Sequence, residues 1–553
     1  MHVTDSIFYK RIICSVCSDV HPYNNQDHEE KDHKKTEGSI NSQQMIMKRI
    51  FLLLFIALSQ NVFCQIDSVP SFVKDSLDTY VNKALTDWQI PGIGVCIIKN
   101  GKVVVMKGYG VKDYETKEKV DENTLFMIGS NTKAFTATAL AMLDADKKLS
   151  LDDKVTKWIP AFKLDNKAAG EQAIIRDLLC HRIGFRTFQG DFTYWTSNLT
   201  RNEVIEKMSH IKATYPFRTT WGYTNAAFLT AGEIIPKVTG MQWEDFIRTK
   251  IFDPLEMKNT LALSKDFPRA SNKCSPYTMA EGKLVKIPFC YIDNLAPAGS
   301  IASSVNDMSH WVMMQLDNGK YNGQQVVPVS VITQTRTPAS ILGNGGALFN
   351  KGHFSLYGLG WFLQEYSGRK IVAHTGGVNG FVTSVTLIPE EKLGIIVFTN
   401  TDQNQFYEAL KWEIMDAYFG NQYRNYNNVY LASYKLQFNG GQKKDQILKD
   451  SVDLHLKTEL PLSSYTGNYF NDLYGNMSVV LENGEMKMKF SHHPNMYAKL
   501  ESLGGNRFYA TFTDPEFSKA VFPFHVQNGK VKSVTVKVAD FVEYNPYEFN
   551  KIK

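Results

Sequence analysis

The chain has 553 residues, of which 43% are hydrophobic and 21% charged, and its formal net charge at pH 7 is +5. One hydrophobic core rarely supports more than about 250 to 300 residues, so we expect at least two folded units. The small positive charge is not gathered into a basic run, which makes nucleic acid a poor partner. These fractions are close to those of ordinary soluble proteins and, with 12% aromatic residues, argue against extended disorder.

The first 64 residues are predicted to lie outside the fold. Residues 47–64 combine a basic start, an apolar run at 50–58 and an end at Cys64, which is the pattern of a secretory signal peptide. We therefore expect a periplasmic or secreted protein, and the run is too short to leave a stable membrane span. Cleavage after Cys64 is preferred to its lipidation, because Phe63 is bulky for a lipidation site. Residues 1–46 are polar and are expected to be either a disordered leader or a start assigned too far upstream.

The cysteines give little support for a metal site. Cys14 and Cys17 with His21 provide half of a zinc-binding pattern, so we expect no metal and no cofactor. Cys274 and Cys290 could pair as a disulfide in an oxidising compartment or remain free thiols. The sequence does not decide between these two states.

Residues 66–420 are predicted to form one α+β domain. Residues 92–110 have the pattern of a β-hairpin with a turn at Asn100–Gly101. The stretch 134–143 is apolar nearly all round, which predicts a central, buried helix beginning at Ser130. Strands at both ends of the region, with helices between them, predict a sheet flanked by helices that joins the two ends of the domain. Further helices are predicted at 226–238 and 305–316, and further strands at 371–373, 382–388 and 393–399.

The rest of the chain has a different pattern. Residues 421–460 are polar and are predicted to be a linker with room for one helix. Beyond them, turns at Asn483–Gly484 and Asn528–Gly529 are followed by strict alternation of apolar and polar residues. We therefore predict a small all-β barrel or sandwich over 461–553.

Ser130 and Lys133 are three residues apart at the start of the buried helix, which places both side chains on one helical face. A serine hydroxyl becomes an effective nucleophile when a neighbour takes its proton and a developing oxyanion meets fixed donors. The alternative is that Ser130 caps the helix and Lys133 is solvated. An unpaired ammonium leading into an apolar helix would be costly, whereas a desolvated lysine with a lowered pKa suits a base.

Tyr223 and Asn225 precede the next apolar helix, in a turn from which both side chains could point into one cleft. A tyrosine hydroxyl has a pKa of about 10, so Tyr223 needs a nearby cation to act as a base, and Lys133 could be that cation. Asn225 could orient the lysine or the substrate. Alternatively, Tyr223 packs in the core and Asn225 caps the helix.

His374, Thr375, Gly376 and Gly377 lie at the end of one strand and before another. Glycines there allow a substrate carbonyl to approach closely, and the Gly377 N–H could be the second oxyanion donor beside that of Ser130. The alternative is an ordinary glycine-rich turn. No clustered second ligand supports a metal at His374.

Each of these short motifs also occurs by chance, so their order and context must carry the inference. Serine followed three residues later by lysine recurs at Ser71, Ser209 and Ser367, and the tyrosine–asparagine spacing recurs at Tyr469.

In the order Ser-x-x-Lys, Tyr-x-Asn and His-Thr-Gly, the set resembles the serine β-lactamase and penicillin-binding protein superfamily, in its class C and D-aminopeptidase or esterase branch. The resemblance covers about 75–420 and implies Ser130 as the acylated nucleophile, with Lys133 and Tyr223 as its proton-shuttling partners. It places His374 and Thr375 beside the substrate carboxylate or carbonyl. The tail from 461 resembles the lipocalin-like domain often fused to such hydrolases. Further segments that carry the resemblance are Phe126–Lys133, Asp177–Phe185, Ile251–Thr260 and Ala298–Asp307.

His374 stands where class C β-lactamases usually have lysine, which weakens the fixed charge that would hold a β-lactam carboxylate. We therefore expect a secreted serine hydrolase that cleaves an ester or amide through an acyl-enzyme on Ser130, with a small-molecule or peptide substrate of peptide, D-amino acid or β-lactam-like type. One alternative is an acyltransferase that passes the acyl group to an alcohol or amine. Another is a catalytically silent cell-wall or ligand-binding protein. The sequence leaves the oligomeric state undetermined.

Overall fold

The computed structural model describes residues 69–343, 348–349 and 352–553, so the predicted leader and signal peptide lie outside the described residues. An α+β domain is followed by a closed β-barrel, which confirms the predicted fold class. Among the described helices, none has the length and apolar character that a membrane crossing requires.

The first domain contains one large antiparallel sheet and smaller two-stranded pairings. Its described strands, in chain order, are β1 (Gly92–Lys99), β2 (Lys102–Gly110), β3 (Phe126–Met127), β4 (Tyr277–Ala280), β5 (Lys283–Lys286), β6 (Ala302–Ser303), β7 (Lys320–Tyr321), β8 (Gln324–Gln325), β9 (Ser340–Gly343), β10 (Ser355–Tyr357), β11 (Phe362–Tyr366), β12 (Arg369–Val378), β13 (Phe381–Ile388) and β14 (Leu393–Thr399).

The large sheet has the strand order β2-β1-β14-β13-β12-β11-β10-β9. Strand β1 pairs antiparallel with β14, with Val95 opposite Val397, so the sheet joins the two ends of the domain as predicted. The predicted turn between β1 and β2 is also confirmed. Asn100 and Gly101 have φ angles of 51° and 73°, the left-handed conformations that an Asn-Gly hairpin turn requires.

Helices cover both faces of this sheet. Helix α1 (Leu77–Asp87) precedes β1. The described α-helices between β1 and the barrel, in chain order, are α2 (Thr132–Ala145), α3 (Val155–Trp158), α4 (Lys167–Gln172), α5 (Ile175–Leu179), α6 (Asp191–Tyr194), α7 (Arg201–Lys207), α8 (Asn225–Gly232), α9 (Ile234–Thr239), α10 (Trp243–Ile247), α11 (Ala296–Gly299), α12 (Val305–Leu316), α13 (Val329–Thr335), α14 (Phe406–Phe419) and α15 (Tyr426–Asp453).

The two-sided burial explains the continuous apolar sequence of β1. Ile93, Val95 and Ile97 pack with α1 and α14, whereas Cys96 and Ile98 face the core that contains α2 and α12. A strand covered on both faces needs apolar residues at successive positions. Helix α2 is buried almost all round, as its sequence predicted, and it lies in the core that Cys96 and Ile98 face.

The segment predicted to be a linker contains α15, a helix of 28 residues. Gly440 and Gly441 lie inside this helix although glycine disfavours helices. Contacts near its start hold it against the first domain, since Trp88 Nε1 donates to Asn427 Oδ1 at 2.7 Å and Tyr426 Oη donates to Asp416 Oδ2 at 2.8 Å.

The C-terminal region is a closed antiparallel barrel. Both predicted Asn-Gly turns are present with positive φ angles, and the alternating residues Met486, Met488 and Phe490 are buried. The strands of the barrel, in chain order, are β15 (Gly467–Asn471), β16 (Gly475–Glu482), β17 (Glu485–Phe490), β18 (His493–Ser502), β19 (Arg507–Phe512), β20 (Lys519–Gln527), β21 (Lys530–Val536) and β22 (Tyr547–Lys551).

The disulfide considered between Cys274 and Cys290 is not formed, and both thiols are free and buried. Cys274 is held by backbone bonding to Leu125, whereas the Cys290 thiol lies 3.5 Å from Asn379 Oδ1. The two side chains are therefore in different surroundings.

Helix α6 joins the first domain to the barrel through Phe192. The Phe192 ring stacks on Tyr474 and His493 of the barrel, with ring centroids 4.9 and 5.6 Å away, and it is fully buried. Phe517 and Tyr547 contact it edge-on. The barrel thus encloses a side chain of the first domain in an aromatic pocket.

We predict that Phe192→Ala lowers the free energy of unfolding by about 3–5 kcal/mol, because it empties a buried aromatic pocket. Phe470→Ala is the matched control, since Phe470 is a barrel phenylalanine that is 38% exposed, and its loss should cost under about 1 kcal/mol. Urea unfolding followed by circular dichroism measures both. Equal losses of unfolding free energy in the two variants would contradict the conclusion that the aromatic pocket around Phe192 stabilises the protein.

Candidate active site

Ser130 lies in a single 3-10 turn, Gly129–Asn131, between β3 and α2. Gly129 has a φ of +51°, and a Cβ there would lie 3.0 Å from Gly377 N. A Cβ on Gly376 would lie 1.8 Å from Ile128 O. Only glycine permits this approach, so the Ser130 turn packs directly against the Gly376–Gly377 segment of β12.

Lys133 is fully buried in the first turn of α2. Its Nζ lies 3.0 Å from Ser130 Oγ, and it donates to Asn225 Oδ1 at 2.7 Å and to Ala298 O at 2.9 Å. Burial lowers the pKa of Lys133 well below its usual value, and the charge of Asp191 opposes this only in part. The surroundings therefore favour a neutral amine.

Asn225 links this lysine to a buried acid. It is the first residue of α8, makes no helix-capping bond, and donates from Nδ2 to Asp191 Oδ2 at 2.6 Å. Burial raises the pKa of Asp191 to about 7, against the opposing effects of the Asn225 hydrogen bond and the Lys133 charge. Polar contacts thus run from Ser130 through Lys133 and Asn225 to Asp191.

Tyr223 lies beside Lys133, whose Nζ is 4.5 Å from the centroid of the tyrosine ring. The ring also packs on His181 at a centroid distance of 4.4 Å. Burial raises the pKa of Tyr223, and this outweighs the opposing effect of the Ser130 hydroxyl. The Tyr223 hydroxyl has no well-formed hydrogen bond within the described part of the chain, so it is free to donate to a ligand.

The His374 ring is buried and neutral. Its Nδ1 lies 2.6 Å from Thr375 O, and since a carbonyl can only accept, Nδ1 carries the proton. Nε2 then accepts from Tyr357 Oη at 3.1 Å. Burial is the main cause that lowers the pKa of His374 to about 3. Thr375 and Gly377 are partly exposed and Gly376 is buried, so the His374 ring is not the open part of this segment.

A loop of the barrel, residues 539–545, contributes further walls. A Cβ on Gly377 would lie 3.2 Å from the Phe541 ring, so that ring lies against Gly377. Tyr544 stacks on Phe188, whose ring meets Tyr223 edge-on at 5.7 Å. Barrel residues therefore lie against the candidate site at Gly377 and, through Phe188, beside Tyr223.

The structure brings together Ser130, Lys133, Tyr223 and Asn225, with residues 374–377 alongside. Sequence reasoning missed Asp191 and the carbonyl of Ala298. Ala298 begins a segment that resembles the family, which was a usable signal, whereas Asp191 lies in no recognised motif. No group of three or more His, Cys, Asp or Glu residues that could hold a metal is found among the described residues.

Comparison with known proteins adds independent findings. The chain is 27% identical over 480 residues to an unguisins hydrolase of Aspergillus violaceofuscus, covering 80% of this chain and 84% of that protein. It is 27% identical over 375 residues to the protein flp of Staphylococcus aureus, covering 66% of this chain and 70% of that protein. The solved structure of an octameric penicillin-binding protein homologue from Pyrococcus abyssi has the same fold, with a TM-score of 0.57 and 22% sequence identity. The match covers 86% of this chain and 99% of that one.

Two family models match the chain. Residues 453–551 match a domain of unknown function (DUF3471), which includes the barrel strands. Residues 77–419 match the model described as Beta-lactamase, and this match spans more than half of the chain and contains Ser130, Lys133, Tyr223 and His374. The chain therefore belongs to the Beta-lactamase family.

Proposed function

We propose that the protein is a secreted serine hydrolase that cleaves an ester or amide through an acyl-enzyme on Ser130. One observation carries the proposal: Ser130 Oγ lies 3.0 Å from a fully buried lysine amine. The hydrolase named among the similar proteins supports the reaction class. The pattern at 47–64 supports secretion.

Lys133 is the general base in this proposal. A neutral amine has two N–H groups and one lone pair, and the carbonyl oxygens of Asn225 and Ala298 can accept both N–H groups. The lone pair is then directed to the Ser130 hydroxyl. As Ser130 Oγ forms a bond to the substrate carbonyl carbon, its proton passes to Lys133 Nζ.

Tyr223 completes the transfer as a neutral hydroxyl. It donates its proton to the leaving oxygen or nitrogen and takes one from the Lys133 ammonium, so no tyrosinate is required. The N–H groups of Ser130 and Gly377 hold the oxyanion, a contribution typically worth about 10²- to 10³-fold in rate per donor. Water then attacks the acyl-enzyme, and the same groups return the proton to Ser130.

The neutral state of His374 favours one substrate class over another. With a pKa of about 3 it supplies no positive charge to a substrate carboxylate near neutral pH. We therefore propose peptide or D-amino acid esters and amides as the substrate class in preference to β-lactams, whose carboxylate needs a cation.

Labelling with a fluorophosphonate tests the nucleophile. We expect one adduct, located on Ser130 by mass spectrometry, and expect Ser130→Ala to abolish both labelling and turnover. Ser209→Ala is the matched control, because Ser209 has the same spacing to Lys212 but its hydroxyl only donates to Glu206 O on the surface. Full labelling of Ser130→Ala would overturn the proposal.

The pH dependence of acylation tests Lys133. A base works in its neutral form, and burial lowers the pKa of Lys133 well below 10.5, so the rate should rise with pH and become level well before pH 10.5. Lys133→Arg stays protonated and should lower the plateau by about 10²- to 10⁴-fold. Lys212→Arg, at the surface site, should leave it unchanged. A wild-type rate still rising in proportion to hydroxide at pH 10.5 would contradict this role.

The state of His374 is tested by substrate pairs, a carboxylate and its methyl ester. Because His374 stays neutral above its pKa of about 3, the ratio of kcat/KM for the pair should be constant between about pH 5 and 8. His374→Gln can donate to Thr375 O and accept from Tyr357, so it should keep that ratio. A carboxylate preference that grows in acid and disappears in His374→Gln would show a charged histidine.

A further inference from the structure

Glu543, in the barrel loop beside Phe541 and Tyr544, is almost completely buried. Its Oε1 accepts from Gly190 N at 3.0 Å, and its Oε2 accepts from Phe192 N at 3.0 Å and from Tyr547 Oη at 2.7 Å. Burial raises the pKa of Glu543 to about 8, and these three donors oppose that shift because they favour the ionised carboxylate. Glu543 therefore holds the backbone on both sides of a single residue.

The residue between those two N–H groups is Asp191, the acid that accepts from Asn225 at 2.6 Å. The conformation here is constrained, because Gly190 has a φ of +98° and a Cβ on it would lie 2.6 Å from Ile211 Cδ1. The position of the Asp191 carboxylate thus depends on the backbone that Glu543 holds.

Other barrel residues hold the same segment. His493 Nε2 hydrogen-bonds with Trp195 O at 2.9 Å, and Asn198 N donates to His492 O at 3.0 Å. Neither of these bonds involves a residue next to Asp191. Among the described contacts between the barrel and this segment, those of Glu543 fix the backbone directly beside Asp191, while the aromatic pocket holds the neighbouring Phe192 ring.

We propose that Glu543 is a positioning residue for Lys133, acting through Asp191 and Asn225, so that the barrel completes the catalytic apparatus of the first domain. The contact distances along this path are 3.0 Å to the Asp191 backbone neighbours, 2.6 Å from Asn225 to Asp191 and 2.7 Å from Lys133 to Asn225. The inference rests on the proposed function of Ser130 and Lys133.

The path predicts a specific kinetic effect. Glu543→Gln retains one acceptor oxygen but points an NH₂ group at the other backbone N–H, so one of the two bonds is lost. The resulting shift of Asp191 releases Asn225 and misplaces the Lys133 amine. We expect kcat for a small ester to fall about 10²-fold with KM little changed, because displacement of a catalytic group by about 1 Å has that effect on rate.

Glu516→Gln is the matched control. Glu516 is also a buried acid of the barrel, and within the described part of the chain its carboxyl group makes no hydrogen bond or ion pair with residues 190–192. It should keep wild-type kcat and KM. Melting temperatures of both variants report whether either has lost its fold.

A double mutant separates positioning from general destabilisation. If Glu543 acts through Asp191, then Glu543→Gln combined with Asp191→Asn should be no slower than Asp191→Asn alone. If Glu543→Gln fails to fold, Tyr547→Phe removes the hydroxyl that donates to Glu543 at 2.7 Å and that also lies 3.3 Å from Thr193 Oγ1, and it should lower kcat about 3- to 10-fold at unchanged KM.

The outcomes distinguish the two proposals. Wild-type protein in which Ser130 is not labelled by a fluorophosphonate would overturn the proposed function and this inference with it. Wild-type protein that is labelled, together with Glu543→Gln at the wild-type kcat, or with losses that multiply in the double mutant, would overturn the inference alone. A fall in kcat that is absent in Glu516→Gln and not additive with Asp191→Asn supports it.

Discussion

The complete burial of one amine, that of Lys133, is the constraint on which the candidate site depends. Removing a lysine from water favours its neutral form, and the carbonyl oxygens of Asn225 and Ala298 accept its two N–H groups. In the proposed mechanism, the lone pair of the amine is left for the Ser130 hydroxyl, which lies 3.0 Å away. The same burial favours the uncharged forms of Tyr223 and His374, so the proposed base and the proposed proton donor are both neutral groups.

This burial requires parts of the chain that are distant in sequence to meet. The glycine segment of β12 allows the Ser130 turn to pack closely, and helix α11 supplies the Ala298 carbonyl. The barrel lies outside the residues that match the Beta-lactamase model, yet it contacts the site region. Glu543 accepts a hydrogen bond from the backbone N–H of Phe192, which is 351 positions earlier in the chain. The barrel loop also places Phe541 against Gly377, so the same loop contacts both the glycine segment of β12 and residues 190–192.

Local patterns predicted most of the fold. The Asn-Gly turns, the all-round apolar stretch of α2 and the strands that join the domain ends each depend on neighbouring residues. Helix α15 could be predicted only in part, because Gly440 and Gly441 lower helix propensity while a distant contact, Trp88 to Asn427, stabilises it. Ser130 and Lys133 could be identified as candidates because the proposed chemistry requires their spacing. Asp191 could not, because its hydrogen bond to Asn225 is a long-range contact that leaves no local pattern.

The central claim is that Lys133 is a neutral base in the free protein, and its titration can be followed directly. Nuclear magnetic resonance of protein labelled with ¹³C at the lysine ε-carbons reports each amine, and the Lys133 signal is assigned by its absence in Lys133→Arg. The account predicts that this signal titrates with a pKa well below the ordinary lysine value of 10.5 and is thereby distinguished from the signals of the surface lysines. A Lys133 signal that titrates with those surface lysines near 10.5 would contradict it.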